Sequence, residues 1–387
     1  MNNIAELSKC AACGCCWNIC PVDAISVDTD HCFYTPTVDN EKCIQCGKCV
    51  SHCPVNESVQ SNRSICAYAA WSKEKSAVLE SSSGGAFHEL ASNVLASGGV
   101  VFSAVYSDDF KEVFFQSSDI CNLIRFQKSK YVESNVLYSF RDIKKELLAG
   151  RTTLFCGTPC QNAGLKSFLE KEYANLILCD FSCGGVPSHK LYKSYLEMFE
   201  NIYKSQVINV DFRPKTHGWK RYALKITFAN QRKLIRLAEE TLYFKAFFGK
   251  MSVRDYCLEC KFSEQHVSDI TLADFWLHDQ LCDTYNENGT SLIICNTVKG
   301  RHFLAGASDN MFLKEINLES ALYNFKPRIA DDENKKLRKE FILCFESDGI
   351  IGLNKKYSNP ISSRVKSYIK RIIYRKHSRR IGRNNII

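Results

Sequence analysis

Ten of the chain's 21 cysteines fall between Cys10 and Cys53. Cys10, Cys13, Cys16 and Cys20 are spaced C-x2-C-x2-C-x3-C, closed by Pro21; the run returns 33 residues on at Cys43, Cys46, Cys49 and Cys53, closed by Pro54. Thiolates so spaced wrap a tight turn around three corners of a cuboidal iron–sulfur cluster, and the fourth cysteine of each run reaches the other cluster. The spacing therefore predicts two 4Fe–4S clusters. One takes Cys10, Cys13, Cys16 and Cys53; the other takes Cys43, Cys46, Cys49 and Cys20. Zinc, the alternative, uses two separated C-x2-C pairs and does not fit a triple run closed by Cys-Pro. Each proline ends its loop, because it fixes φ and donates no backbone hydrogen bond. Cys15 and Cys32 lie outside the spacing and read as packed thiols. Such a module moves single electrons, so any substrate chemistry lies downstream.

The rest of the composition is that of a folded chain. With 387 residues, 45% hydrophobic and 24% charged, it has room for two or three cored domains. No apolar run approaches the ~20 residues that cross a bilayer, and the N-terminus lacks the basic and apolar regions of a secretory signal. The expectation is a cytoplasmic protein in a reducing compartment, where dense cysteine means metal or redox chemistry rather than disulfides. The net charge is +9, yet the first 60 residues hold seven acids against three lysines. From Arg364 to Arg383 there are nine basic residues and no acid, so the excess sits in the tail. That distribution does not describe a uniformly basic nucleic-acid binder.

Behind a polar linker at 56–64, the pattern turns α/β. Gly84 to Ser97 reads as a helix with Phe87, Leu90, Ala91, Val94 and Leu95 on one face. Residues 100–106 and 112–116 read as paired strands, and Ser134 to Gly150 as a second helix. Strand 152–156, a helix from Pro159 and strand 176–180 make a strand–helix–strand unit. Strands near 207–213, 222–229 and 232–237 and a Phe-rich helix near 241–249 follow. Neither a G-x-G-x-x-G nor a Walker A loop occurs. Instead, glycine-bearing turns stand at element boundaries: SSSGGAF (81–87), CGTPCQNAGL (156–165) and FSCGGVPS (181–188). The first is either a phosphate cradle at a helix N-terminus or an ordinary helix cap. Cys160 and Cys183 lie in strand-end loops, where α/β sheets bind ligands. Cys257 and Cys260 add a C-x2-C pair, so a four-thiolate site, zinc and buried free thiols are all open readings.

The first 60 residues resemble bacterial two-cluster ferredoxins. Downstream, SSSGGAF, KSKYVES (128–134), GTPCQNAGLKSFL (157–169), GGVPS, CLECKF and SDITLADFW (268–276), in that order, resemble the coenzyme F-420 hydrogenase/dehydrogenase beta-subunit family over roughly 65–325. That resemblance implies FAD, a further 4Fe–4S cluster, and electron transfer to a partner protein or small-molecule substrate. Carried over by position, Ser82, Ser83, Gly84, Gly85, Lys130, Gly157, Thr158 and Gln161 would line the flavin, and Asp269 and Asp274 would hold its hydroxyls. Cys160, Cys183, Cys257 and Cys260 would hold the third cluster, with Cys156 and Cys179 as spare thiols. Gly184 stands where relatives often carry His, and His266 where Arg is common. His217 and His266 are candidate proton donors, though a lone histidine is more often structural, and no general acid is assigned.

The implied fold class is α+β: a bacterial ferredoxin-like domain (1–60), then a mixed α/β flavin-binding domain without a Rossmann fingerprint. Its two parts span 65–150 and 151–325, before a helical, basic tail (326–387). In that tail Ile361, Val365, Tyr368, Ile369 and Ile372 share one face of a basic amphipathic helix. The helix fits an anionic membrane surface, an acidic partner or its own domain. The expected function is a flavin- and iron–sulfur-dependent oxidoreductase; the alternative is a non-catalytic electron carrier or scaffold for a partner enzyme.

Overall fold

The computed structural model describes residues 3–4, 9–57, 60–120, 123–277, 280, 282–323, 325 and 329–357. The basic helix expected within 361–375 lies outside them. The cysteine-rich module is small. It consists of a helix at Cys15–Ile19, an antiparallel hairpin of β1 (Ile25–Asp28) and β2 (Thr35–Val38), and a turn of helix at Lys48–Ser51. Both helices start behind a glycine of positive φ, Gly14 at 93° and Gly47 at 72°. These glycines are equivalent in the duplication. Only a residue without a side chain turns the backbone this way at low cost, which curls each cysteine run around a common centre.

The body is built on one eight-stranded sheet. Its strands are β3 (Cys66–Ser72), β4 (Val100–Tyr106), β5 (Val113–Ser118), β6 (Thr153–Cys156), β7 (Leu176–Phe181), β11 (Ile270–Asp274), β12 (Ser291–Cys295) and β13 (Met311–Ile316). They lie in the order 13-3-12-11-7-6-4-5. β4, β6, β7 and β11 run parallel, and β3 shares their direction through two antiparallel steps across β12. The carboxyl ends of five strands therefore meet at one edge, where an α/β sheet presents its ligand crevice. A separate antiparallel sheet of β8 (Val207–Asp211), β9 (Ala223–Phe228) and β10 (Lys233–Leu237) packs with helices His189–Tyr203 and Leu242–Phe248.

The second helix begins at Ser139, later than the expected Ser134. Asn135 is held as a strand extension: its N–H donates to Val113 O and its carbonyl accepts from Phe115 N. Elsewhere the expected elements form, and the helix at Ala86–Ala96 packs Leu90, Ala91 and Val94 against the sheet.

The module sits on the body through directed bonds. Trp17 Nε1 donates to Leu137 O at 2.8 Å. Arg141 reaches back to the carbonyls of Trp17, Asn18 and Cys20. Val136 packs so closely on Gly14 that a Cβ there would lie 2.1 Å from Val136 Cγ2.

Candidate functional site

The structure gathers the eight module cysteines into two crossed sets. The Cys16 thiol is pushed well up by burial first, then by Cys10, Cys15 and Cys53. Cys13 is raised by burial and, among others, by Cys53 and Cys16; for Cys10 burial leads and Cys53 contributes. Cys53 thus stands with the first run. Cys20 stands with the second: it contributes, with Cys46, to raising Cys49, where burial is the leading cause. Cys20, Cys43, Cys46 and Cys49 line one small cavity. Backbone amides already point at sulfur, with Ala12 N at 3.3 Å from Cys10 Sγ and Ala24 N at 3.3 Å from Cys20 Sγ. Thiols crowded together out of water resist ionisation until a cation neutralises them, which is the property a metal-cluster site requires. Cys15 is a packed thiol, fully buried and donating to His52 O.

A third set comes from three segments of the body. Cys160 opens the helix Pro159–Leu169, Cys183 follows β7, Cys257 lies within a 3-10 turn at Asp255–Glu259 and Cys260 caps its end. Burial pushes the Cys160 thiol up most, and Cys260, Cys183 and Cys257 add to it. Cys257 is pushed up to about 12 by burial, then by Cys183 and Cys260. Among the described residues no three or more His, Cys, Asp or Glu side chains form a shell for a single metal ion. A zinc site would bring its sulfurs to about 2.3 Å from one ion, whereas a cuboidal cluster carries its thiolates on the corners of a larger body. Cys156 and Cys179 face each other across β6 and β7, buried in the core, and the side chain of Cys156 leads the causes that raise Cys179.

The first and third sets meet at a tight junction. Cys160 Sγ lies 3.9 Å from Ala11 O. Gly164, one turn along the same helix, leaves room for the first run: a Cβ there would stand 3.0 Å from Cys13 O and 3.1 Å from Cys13 Sγ. Arg254 spans the gap. Its Nη1 donates to Cys10 O at 3.2 Å, and its own carbonyl accepts from Cys257 N at 3.0 Å. Glu133 holds the guanidinium at 2.7 Å.

The loops implied to hold flavin form one wall at the sheet edge. Ser129 N donates to Ser82 Oγ at 2.7 Å, and Gln161 Nε2 donates to Ser134 Oγ at 3.1 Å. Segment 128–134 therefore links loop 81–85 to loop 157–161. Gly84 and Gly289 shape that wall, since a Cβ on either would come within 2.4 Å of a carbonyl oxygen. Gly85 caps its helix at φ 89°. Thr158 and Gln161 form a capping box behind Gly157. Lys130 is deeply enclosed, bonded to the carbonyls of Phe126, Gln127 and Lys128, and burial brings its pKa down to about 7. Lys215, which no sequence motif marks, donates to Ser83 O at 2.8 Å and to Val78 O. Burial, then Arg213 and Lys128, bring it down to about 7. An anion at this loop would favour its charged form, so the residues present fit a pyrophosphate.

The two aspartates are engaged by the protein. Asp269 accepts from Leu178 N at 2.9 Å and Thr297 Oγ1 at 2.7 Å, with Lys299 at 3.1 Å. Asp274 takes both arms of Arg213, at 2.6 and 3.2 Å, and Trp219 Nε1 at 3.2 Å. Asp269 acts as a buried pin and Asp274 as the anchor of Arg213. At Gly184 a Cβ would lie 2.9 Å from Phe247 Cζ, so Phe247 fills the space a side chain would need. His266 is buried against Asp180 and Thr271, and His217 is exposed.

Residues 150–321 match the family described as the C terminus of the coenzyme F420 hydrogenase/dehydrogenase beta subunit, and residues 36–56 match the 4Fe-4S binding domain. A solved structure described as the xenon-derivatised F420-reducing [NiFe] hydrogenase complex from Methanosarcina barkeri aligns with a TM-score of 0.47 and 14% identity. The alignment covers 79% of this chain and 97% of that one. No curated protein matches the chain. Residues 150–321 are thus related to these beta subunits, and the N-terminal region carries a 4Fe-4S binding motif. No described helix is long and apolar enough to cross a membrane.

Proposed function

We propose that this chain, whose residues 150–321 match the F420 hydrogenase/dehydrogenase family, is an iron–sulfur flavoprotein oxidoreductase. In this reading it carries electrons between two ferredoxin clusters, a third 4Fe–4S cluster on Cys160, Cys183, Cys257 and Cys260, and FAD at the sheet edge, serving a redox partner protein or small-molecule substrate. One observation carries the reading: the junction that brings Cys160 to 3.9 Å from Ala11 O, between two Cys loops. The exposed Cys46 turns the second set outward, while the buried Cys13, Cys16 and Cys53 turn the first set inward. A partner would therefore meet the chain at Cys20, Cys43, Cys46 and Cys49.

When bound, FAD would supply two-electron chemistry and the clusters one-electron steps. The chain's own residues position and enclose these groups. Lys215 and Lys130 offer cations at the sheet edge, Gly84 and Gly289 allow close backbone approach, and Phe247 closes the space beside Gly184.

Anaerobically purified protein is expected to hold about twelve irons per chain, falling to about eight in a Cys257→Ser/Cys260→Ser variant. Lys215→Met should lower FAD retention and leave iron unchanged. Iron near eight in the parent chain, unchanged in the double variant, would remove the third cluster; a chain that never retains flavin would leave the electron-carrier reading. That second reading draws on Gly184, where no imidazole is available. The basic tail at 361–375 is proposed to touch anionic membrane from the cytoplasmic side, each cation adding about 1 kcal/mol. Salt-reversible co-sedimentation with anionic vesicles, lost on removing 360–387, tests it; equal binding to neutral vesicles would exclude it.

A further inference from the structure

One buried cation is bonded to the loops of two separate thiol sets. Arg254 is 6% exposed. Its N–H donates to Val186 O, beyond Cys183, and its carbonyl receives Cys257 N, both at 3.0 Å. Its side chain leaves the Cys257 turn and crosses to the module, donating to Cys10 O and Tyr34 O. Glu133 takes Nε at 2.8 Å and also accepts from Tyr34 N and His189 Nδ1, so the carboxylate is tied to these groups while the guanidinium itself bonds the Cys10 loop. The ion pair is thus a dipole with its positive end toward the thiols. Two electrostatic details agree with that orientation. Arg254 counters the leading effect of burial at both Cys10 and Cys257, and Glu133 is the weakest named influence on Cys10.

A fixed positive charge in a dry region stabilises whichever redox state is more negative. For a thiolate-bound cluster that is the reduced state, and second-shell charge is one of the levers on its potential. We propose that Arg254, oriented by Glu133, raises the reduction potentials of the clusters on Cys10 and on Cys257 together, keeping neighbouring carriers matched for electron transfer. This rests on the three-cluster reading above. Arg254 touches the ligand loops and no substrate; its role is to set potentials. Lys261, which joins the Cys260 turn to Val55 O and Glu57 O, is only half-buried and so acts through more water.

The test is an anaerobic redox titration of the full chain, read by electron paramagnetic resonance. In Arg254→Met the clusters on Cys10 and Cys257 should each need about tenfold more reducing power for half reduction, 59 mV lower for a one-electron couple. The outward cluster on Cys43, Cys46 and Cys49 is the internal control and should not move. Glu133→Gln keeps the shape and the cation, so it should move the Cys10 cluster the opposite way and guards against a misfolded Arg254 variant. No shift in either variant, or an equal shift of all three clusters, would overturn the proposal. A shift of the Cys10 cluster in a chain lacking the third cluster would overturn the shared bridge while separating that failure from an Arg254 without effect.

Discussion

The two halves of the duplicated cysteine run are alike in sequence and unlike in surroundings. Gly14 and Gly47 both begin a short helix at positive φ. A Cβ on Gly14 would collide with Val136, whereas a Cβ on Gly47 would meet nothing within 4 Å. Cys13 and Cys16 are buried, and their equivalents Cys46 and Cys49 are exposed and buried. One half has become an interior surface of the body and the other has stayed a ferredoxin face. A duplicated motif therefore repeats its local geometry, while the neighbour it packs on decides which half is enclosed.

The sharpest way to break that comparison is a matched pair of substitutions. Gly14→Ala and Gly47→Ala both carry left-handed strain of about 1–2 kcal/mol. Gly14→Ala adds overpacking of about 1–3 kcal/mol against Val136. It should lower the apparent unfolding midpoint well beyond Gly47→Ala and release the first cluster first, read by circular dichroism and iron content. Equal losses would mean the halves are not packed differently.

A smaller effect is expected at Gly164→Ala. The new methyl would push on Cys13 O and Sγ at about van der Waals limits, costing about 1–3 kcal/mol if the helix cannot shift. Stopped-flow reduction should then show slower electron passage from the module to the body, with iron content retained. An unchanged rate at full occupancy would show that the junction tolerates displacement.

The smallest effect belongs to the body alone. Burial would lower the His266 pKa, but the charge of Asp180 and the 2.8 Å bond to it hold it above the usual value. A raised folded-state pKa contributes stability that is fully present below about pH 6.5 and is lost as pH rises through the folded value. Urea unfolding should therefore weaken between pH 6 and 9 in the parent more than in His266→Gln. The same pH slope in both would assign the dependence to other groups.

Much of the body is harder to read from its residues than the module. β3 and β12 carry no period-2 signal, because a central strand with both faces covered does not alternate. CAYAAWS at 66–72 is nearly all small or apolar, and SLIIC at 291–295 is buried throughout. The helix at His189–Tyr203 does carry a signal, Ser188 as its cap and Leu191, Tyr192, Tyr195 and Leu196 on one face. Lys215 and Arg213 carry none that marks a site. Each is a single charged residue in a loop or turn, and only its burial and partners distinguish it.

What the sequence determined by itself is the chemistry held within a few residues of chain. Cys-x2-Cys-x2-Cys closes through local backbone geometry, so both cysteine runs and an iron–sulfur reading of them were legible. The glycine-bearing turns were legible for the same local reason. The convergence of Cys160, Cys183, Cys257 and Cys260 from three segments, which the family resemblance implied and no spacing constrains, is set by the tertiary structure. Tertiary structure also decided that Asp269 is spent as a pin, that Phe247 fills the space at Gly184, and that Arg254 bridges to Cys10 across 244 positions. Spacing constrains atoms only over the reach of a turn; beyond that, the burial of apolar surface selects which distant residues meet.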